Sequence, residues 1–260
     1  MIDFDPDWLV PDWPAPPSVR ALCTTRAGGV STGRYQSLNL GTHVGDLADA
    51  VAENRARLQQ AMAAQPVFME QVHGTGLLEI DAMTPEGRPA DACTTQQPGI
   101  ACTVMVADCL PVLLCDVDGA RVAAAHAGWR GLAAGVLERA SECFRPQVPT
   151  GRAHRAIKTM AWLGPCIGPK AFEVGGEVKA AFEAHAAEAG RCFRSAATEG
   201  KWLADLSALA RQRLRAAGIE QVYGNDGSDA WCTVANPSRF FSHRRDGGVS
   251  GRFAACVWLT

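Results

Sequence analysis

The stretch Ala107–Leu132, ADCLPVLLCDVDGARVAAAHAGWRGL, decides how the chain is read. Asp118-Gly119 separates two apolar runs, and an Asp-Gly pair in that setting is a strong signal for a two-residue hairpin. Closing the turn there sets Val117 opposite Ala120, Pro111 opposite His126 and Cys109 opposite Gly128. Directly opposed side chains share a face, and so do residues two apart on one strand. Cys109 and His126 are therefore expected on one face as diagonal neighbours, roughly 7–8 Å apart by backbone. Side chains can close that gap onto a shared metal ion or a shared proton. A free core cysteine beside a hydrogen-bonded histidine fits the local geometry equally well. After His126 the small residues of AGWRG lead into a helix, and such a turn can present backbone N–H groups to an anion.

Outward from this hairpin, Ile100–Val106 and Val112–Val117 are continuous apolar runs, as in strands covered on both faces. Ser18–Thr25, Val67–Val72, Leu77–Ile80, Met160–Leu163 and Phe253–Leu259 also read as strands. Arg26–Gly45, with five glycines, reads as a long loop. Asp46 is placed as an N-cap, with Leu47, Val51, Leu58 and Met62 on one helical face. Further helices are expected over Leu132–Phe144, Glu177–Ala189 and Asp205–Ala217, with Gly190 and Gly218 as stops. Strands and helices mix without regular βαβ alternation. This predicts an α+β fold with a mixed β-sheet core, taken as one domain over residues 1–260.

Composition narrows the class. The 260 residues carry 25 Lys+Arg against 27 Asp+Glu, a net charge of −2. At 47% hydrophobic and 20% charged, the chain can bury a core and is not globally disordered. The charge balance leaves no broad basic footprint for nucleic acid. Of the basic residues 21 are Arg, the side chain suited to bidentate contacts with phosphate or carboxylate. No run reaches the roughly 18 apolar residues of a membrane span. The opening MIDFDPDWLVPDWPAPPS has neither the basic nor the apolar region of a signal peptide. Ten cysteines without any C-x-x-C spacing then read as reduced thiols of a cytoplasmic protein, mostly core filler. Cys166 in GPCIGP belongs to a tight turn.

Three polar residues stand out. His73 in EQVHG is read at the tip of an apolar strand. With Cys109 and His126 it makes a plausible zinc set with an open fourth position, although the spacing matches no zinc finger. His43 and His243 sit in loops that can line a site. His185 on a helix and His154 in a polar loop have blander readings. Two loops mix Arg, Gly and hydroxyls in a way that suits phosphate or ribose. They are TTRAGGVS (Thr24–Ser31), followed by SLNLG (Ser37–Gly41), and SHRRDGGVSGR (Ser242–Arg252). Neither is a P-loop.

Taken in order, TTRAGGVS, SLNLGTHVGD, EQVHG, ADCLPVLL, AAAHAGWRGL, WLGPCIGP, FEVGGEV and FFSHRRDG…SGR resemble the laccase-domain, or YfiH-type, family along nearly the whole chain. That family is also labelled polyphenol oxidase and peptidoglycan editing factor. It is described as purine nucleoside phosphorylase with adenosine deaminase activity. The resemblance implies a sheet core flanked by helices, similar to the deamidase domain of cytotoxic necrotizing factor. It implies one zinc on His73, Cys109 and His126, which serve as both metal ligands and catalytic centre. The implied reactions are phosphorolysis of adenosine, inosine, guanosine or methylthioadenosine, and deamination of adenosine. Arg26, Asn39, Arg245 and Arg252 are then the expected phosphate or sugar contacts. Asp91 and Glu173 are candidate acids, and Asp108 is a supporting group whose side chain points to the other face. Three alternatives stand beside this reading. One is a copper-dependent polyphenol oxidase, although a blue-copper site together with a trinuclear one needs more than the six histidines present. Another is a cysteine amidase on peptidoglycan precursors, with Cys109 as nucleophile and His126 as base. The third is a zinc-binding interaction module without activity.

Overall fold

The computed structural model describes residues 5–145 and 158–260. The first half runs β1 (Val19–Cys23), α1 (Ala48–Met62), β2 (Gln65–Phe68), β3 (Leu77–Glu79), β4 (Ala92–Thr95), β5 (Ile100–Val106), β6 (Leu110–Asp116) and β7 (Val122–Ala127). Then follow α2 (Trp129–Ala134), α3 (Val136–Glu142), β8 (Thr159–Leu163), β9 (Glu173–Gly175), α4 (Gly176–Glu183), β10 (Phe193–Ser195), β11 (Lys201–Ala204), α5 (Leu206–Ala216), β12 (Gln221–Gly224) and β13 (Phe253–Leu259). His154 lies outside the described residues.

The strands form a six-stranded sheet in the order β12-β8-β6-β7-β4-β3, a four-stranded sheet β1-β13-β5-β2 and a small sheet β10-β11-β9. The β3–β4, β2–β5 and β8–β12 pairs are parallel and the others antiparallel. The fold is thus mixed α+β, as the uneven alternation of elements predicts. Alternation along β6 explains its unbroken apolar sequence. Leu113 and Cys115 face the four-stranded sheet, packing with Val104, Val106, Phe253 and Ala255. Leu110, Val112 and Leu114 face the helices, among Leu132, Val136, Leu137 and Leu209. The outer face of the four-stranded sheet is covered by Leu58 and Met62 of α1. Both central sheets are therefore buried on both sides, which is why β5, β6, β7 and β13 are apolar at nearly every position.

The β6–β7 ladder pairs Pro111 with His126 and Leu110 with Ala127, the register that the Asp-Gly turn predicts. Elsewhere the boundaries differ. The span expected as one helix over Leu132–Phe144 is two, α2 and α3, because Gly135 adopts φ +103°, which only glycine does readily. Leu47 is 72% exposed rather than inward. Asp46 does not cap α1. Its carboxylate instead accepts hydrogen bonds from Ser31 Oγ and Asn39 Nδ2 at 2.6 and 2.9 Å, tying the long loop together. The helix expected to Ala189 ends at Glu183, and Gly190 falls inside a separate 3-10 turn. Asp205 does cap α5, accepting from Ala208 N–H.

Candidate metal centre and active-site cavity

One ligand atom each from His73, Cys109 and His126 lies within 4.8 Å of the others. Cys109 Sγ is 3.8 Å from His73 Nε2. The two imidazoles meet edge to face, with centroids 4.8 Å apart at 77°. Each side chain arrives by a different route. His126 is on β7 and buried. Cys109 ends the short turn from β5 to β6, where Asp108 takes φ +95°. His73 is not at a strand tip, because β2 stops at Phe68. It lies in the following loop with φ +60°, a conformation non-glycine residues rarely adopt.

Asp91 holds this arrangement. Its fully buried carboxylate accepts from His126 Nδ1 at 2.8 Å and from the N–H groups of His73, Gly74 and Val72 at 2.9, 2.6 and 3.3 Å. Burial works against its charge, but the bonds from His126 and the loop amides keep it below the usual carboxylate range. Asp91 is therefore an anchor, and as a candidate acid it has no free oxygen facing substrate. Gln71 pins the same loop to β5, donating to Met105 O and accepting from Met105 N, both at 2.8 Å. Asp108 accepts from Thr233 Oγ1 at 2.5 Å and Arg244 N at 2.6 Å. It joins the trio's turn to two distant loops, a supporting role as expected.

These residues fit a zinc ion. An ionised carboxylate only accepts, so His126 Nδ1 donates to Asp91 and Nε2 is left for a metal, the usual carboxylate–histidine pattern. Burial opposes ionisation of Cys109, yet the His126 and His73 rings outweigh it and bring the thiol down to about 6. Burial likewise opposes charge on His126, but Cys109 and Asp91 raise it to about 9. A thiolate and two imidazoles beside an open cavity match a three-ligand catalytic zinc site. Gly128 makes the convergence possible. A Cβ there would lie 2.9 Å from His73 Cδ2 and 3.0 Å from Cys109 Sγ.

The trio forms part of the wall of a cavity of about 800 Å³. Phe68 and Phe172 give it apolar surfaces, and Arg55, Arg244, Arg252, His43 and His243 bring positive or titratable groups. Of the four expected phosphate contacts, only Arg252 lines this space. Arg26 instead donates to the Gln36 and Pro237 carbonyls at 2.6 and 2.8 Å and lies over the Phe241 ring. Arg245 is spent on Thr233 O, Phe240 O and Asp246. Asn39 is fully buried and bonds to Gly41, Asp46 and Arg252 N. Glu173 is outside the lining, with its backbone carbonyl bonded to Arg244. The helix start after His126 belongs to α2, whose six residues make a weak dipole. Sequence reasoning missed Gln71, Arg244 and the Arg55–Glu86 pair at 2.8 Å. Arg244 lay within a quoted loop, but nothing in the sequence tells its direction from that of Arg245.

Residues 20–260 match the family described as multi-copper polyphenol oxidoreductase laccase. A Pseudomonas aeruginosa protein named purine nucleoside phosphorylase is 50% identical, over 97% of this chain and 98% of its own. The Escherichia coli purine nucleoside phosphorylase YfiH is 49% identical, over 96% and 98%. Among solved structures, a Neisseria meningitidis protein superposes with a TM-score of 0.87 at 48% identity, covering 97% of this chain and 99% of that one. YlmD from Geobacillus stearothermophilus gives 0.86 at 30% identity, over 99% and 97%.

Proposed function

The chain belongs to the multi-copper polyphenol oxidoreductase laccase family, and we propose that within it this protein is a zinc-dependent purine nucleoside phosphorylase with a second activity as adenosine deaminase. The observation that carries this reading is the convergence of His73, Cys109 and His126 in the wall of a large cavity. The names of its half-identical relatives supply the substrate class. Adenosine, inosine, guanosine and methylthioadenosine are the proposed nucleosides.

In phosphorolysis a phosphate oxygen bonds to C1′ of the ribose as the C1′–N9 bond breaks. The bonding pair leaves with the purine, which takes up a proton. The products are the free base and ribose 1-phosphate. Phe68 and Phe172 make part of the cavity wall apolar, and the arginines of the cavity suit the anion. In deamination water adds at purine C6 and ammonia leaves. In the cavity wall, His73, Cys109 and His126 would hold the zinc, which when bound would supply Lewis-acid polarisation. Asp91 keeps His73 and His126 pointed there, and Gly128 leaves the space. The cavity draws on residues from Thr42 to Arg252, so the whole chain is read as one catalytic domain. Among the described residues no helix is long and apolar enough to cross a membrane. The unpaired state of all ten cysteines supports a reducing, cytoplasmic setting.

The test is a metal count on purified protein combined with product analysis from inosine and adenosine, with and without phosphate. Stoichiometric zinc, phosphate-dependent ribose 1-phosphate and ammonia from adenosine are expected. Stoichiometric copper with oxygen uptake on phenols would overturn the proposal in favour of the oxidase. A second reading has its own support. A Cys109 thiol near 6 beside His126 near 9 is the composition of a cysteine hydrolase acting on amides. It leaves His73 without a task, and for that reason the metal reading is preferred.

A further inference from the structure

Phosphorolysis needs a place for an oxyanion, and the arginines that line the cavity differ in how much of their binding capacity is already used. Arg55 is paired with Glu86 at 2.8 Å, donates from Nε to Leu40 O and is stacked 3.8 Å above the Phe68 ring. Arg252 makes its side-chain hydrogen bonds through Nη1 alone, to Ser250 O at 2.7 Å and Gly251 O at 3.1 Å. Its Nε and Nη2 keep their donors, and among the described residues no carboxylate pairs with it. Arg244 is similar, with one side-chain bond from Nη1 to Glu173 O at 3.1 Å and its guanidinium over Phe172. His43 lines the same space, and its ring has no hydrogen-bond partner among the described residues.

Resting on the phosphorolysis reading, we propose that Arg252, assisted by Arg244 and His43, forms the inorganic-phosphate subsite, and that Arg26 and Arg245 do not touch the anion. A half-buried guanidinium with no carboxylate in direct contact keeps free donors, and a bound anion is their natural complement. Arg252 is also well placed. It lines the same cavity as Cys109 and Asp108; burial lowers its pKa, and the nearby charges of Cys109, Asp108 and Tyr35 oppose that. Burial first, then Arg252 and Arg55, push the His43 ring down, while Glu70, Glu86 and Asp108 bring carboxylates to the same cavity. A neutral imidazole there can still share a hydrogen bond with a phosphate oxygen. The aliphatic stem of Arg252 is fixed against Gly41, where a Cβ would come within 2.9 Å of its Cγ. The free donors are thereby held in place beside the cavity, not swept through solvent.

The experiment titrates inorganic phosphate, without nucleoside, into zinc-loaded wild-type protein and into Arg252→Gln, Arg252→Lys and Arg26→Gln, by calorimetry. Phosphate affinity should fall about tenfold to a hundredfold in Arg252→Gln, the loss expected for a charged hydrogen-bonding partner. Arg252→Lys should recover only part, since it restores charge without the fork. In steady state the KM for phosphate should rise more than the KM for inosine. Zinc content and thermal midpoint identify any variant that fails to fold, and Arg244→Gln then serves as the second probe, with a smaller loss of phosphate affinity. Unchanged phosphate binding in folded Arg252 variants, or a loss confined to Arg26→Gln, overturns the subsite. A titration with inosine 5′-monophosphate separates the two sources of a phosphate group. If Arg252 serves the nucleotide and inorganic phosphate does not bind, the assignment is overturned. Phosphate binding that depends on Arg252, in an enzyme that releases no ribose 1-phosphate, keeps the anion site and refutes phosphorolysis alone.

Discussion

Asp91 and His126 are joined by a 2.8 Å bond inside the protein, where the carboxylate is fully buried and the imidazole nearly so. Through its remaining capacity the same carboxylate holds the His73 loop. One side chain therefore orients two of the three candidate metal ligands, which come from separate parts of the fold. Replacing Asp91 with Ala should weaken zinc binding about 10–100-fold, the usual cost of losing a carboxylate behind a ligating histidine. Asp91→Asn should retain an acceptor for His126 while placing an amide donor against loop N–H groups, giving partial loss. Competition with a chelator of known affinity measures both. Equal zinc affinity in wild type and Asp91→Ala would remove the anchoring role.

Gly128 predicts a steric effect with no chemistry removed. A methyl at this position overlaps both His73 and Cys109, and neither can retreat freely, since one is on an anchored loop and the other on a turn. Gly128→Ala should cost about 1–3 kcal/mol of stability, typical of inserting a methyl where none fits. It should also lower zinc occupancy. Thermal melts of the zinc-loaded and chelated forms separate the two effects. If the distortion is at the trio, the melting gap between these forms narrows in the variant.

How much of this was legible beforehand depended on local chemistry. The Asp118-Gly119 turn fixes register by counting, so Pro111 opposite His126 followed without tertiary information. The bounds of β5 and β13 were readable because an unbroken apolar run between polar loops has few other fates. The break at Gly135 was hidden, since Leu132, Val136 and Ala140 keep helical spacing across it. The arginines were the least readable. Arg26 and Arg245 differ from Arg252 in which carbonyls, rings and carboxylates fold around them, and loops have no periodicity to reveal that. The same holds for Asp91, whose role depends on four donors from one loop and one strand.

Proton release gives a pH test of the apo site. Cys109 is brought to about 6 and His126 raised to about 9, so between these values the metal-free pair is a thiolate beside an imidazolium. A metal ligand must be a thiolate or a neutral imidazole, and binding therefore displaces a proton. In this window the pair gives up one proton on zinc binding, from His126. That proton makes affinity rise about tenfold per pH unit from about pH 6 to about pH 9 and level off above. Below about pH 6 Cys109 gives up its proton too and the slope steepens. Calorimetry in buffers of different ionisation enthalpy counts the protons directly. A flat affinity between pH 6 and 9 would contradict the ion-pair description.

Chelation followed by thiol labelling separates the metal reading from the hydrolase reading. The ten cysteines are far from equivalent. Burial raises the thiol pKa of Cys23, Cys102, Cys166, Cys115 and Cys256, the last two to about 12. Half-buried Cys143 and Cys192 are raised as well, Cys192 to about 11. Cys109 alone combines a lowered pKa with access from the cavity, and the thiolate is the form that alkylates. If zinc occupies the trio, Cys109 should be protected in the native protein and become the fastest-labelled thiol after chelation, with adenosine deamination lost in parallel. If Cys109 is the nucleophile of an amide hydrolase, it should label at full rate in protein as purified, and chelation should leave hydrolysis intact or raise it. Peptide mapping by mass spectrometry assigns the labelled site, so reactivity at Cys143 or Cys192 cannot be mistaken for it. Loss of deamination on chelation without new labelling at Cys109 would mean that a metal acts at some other set of ligands.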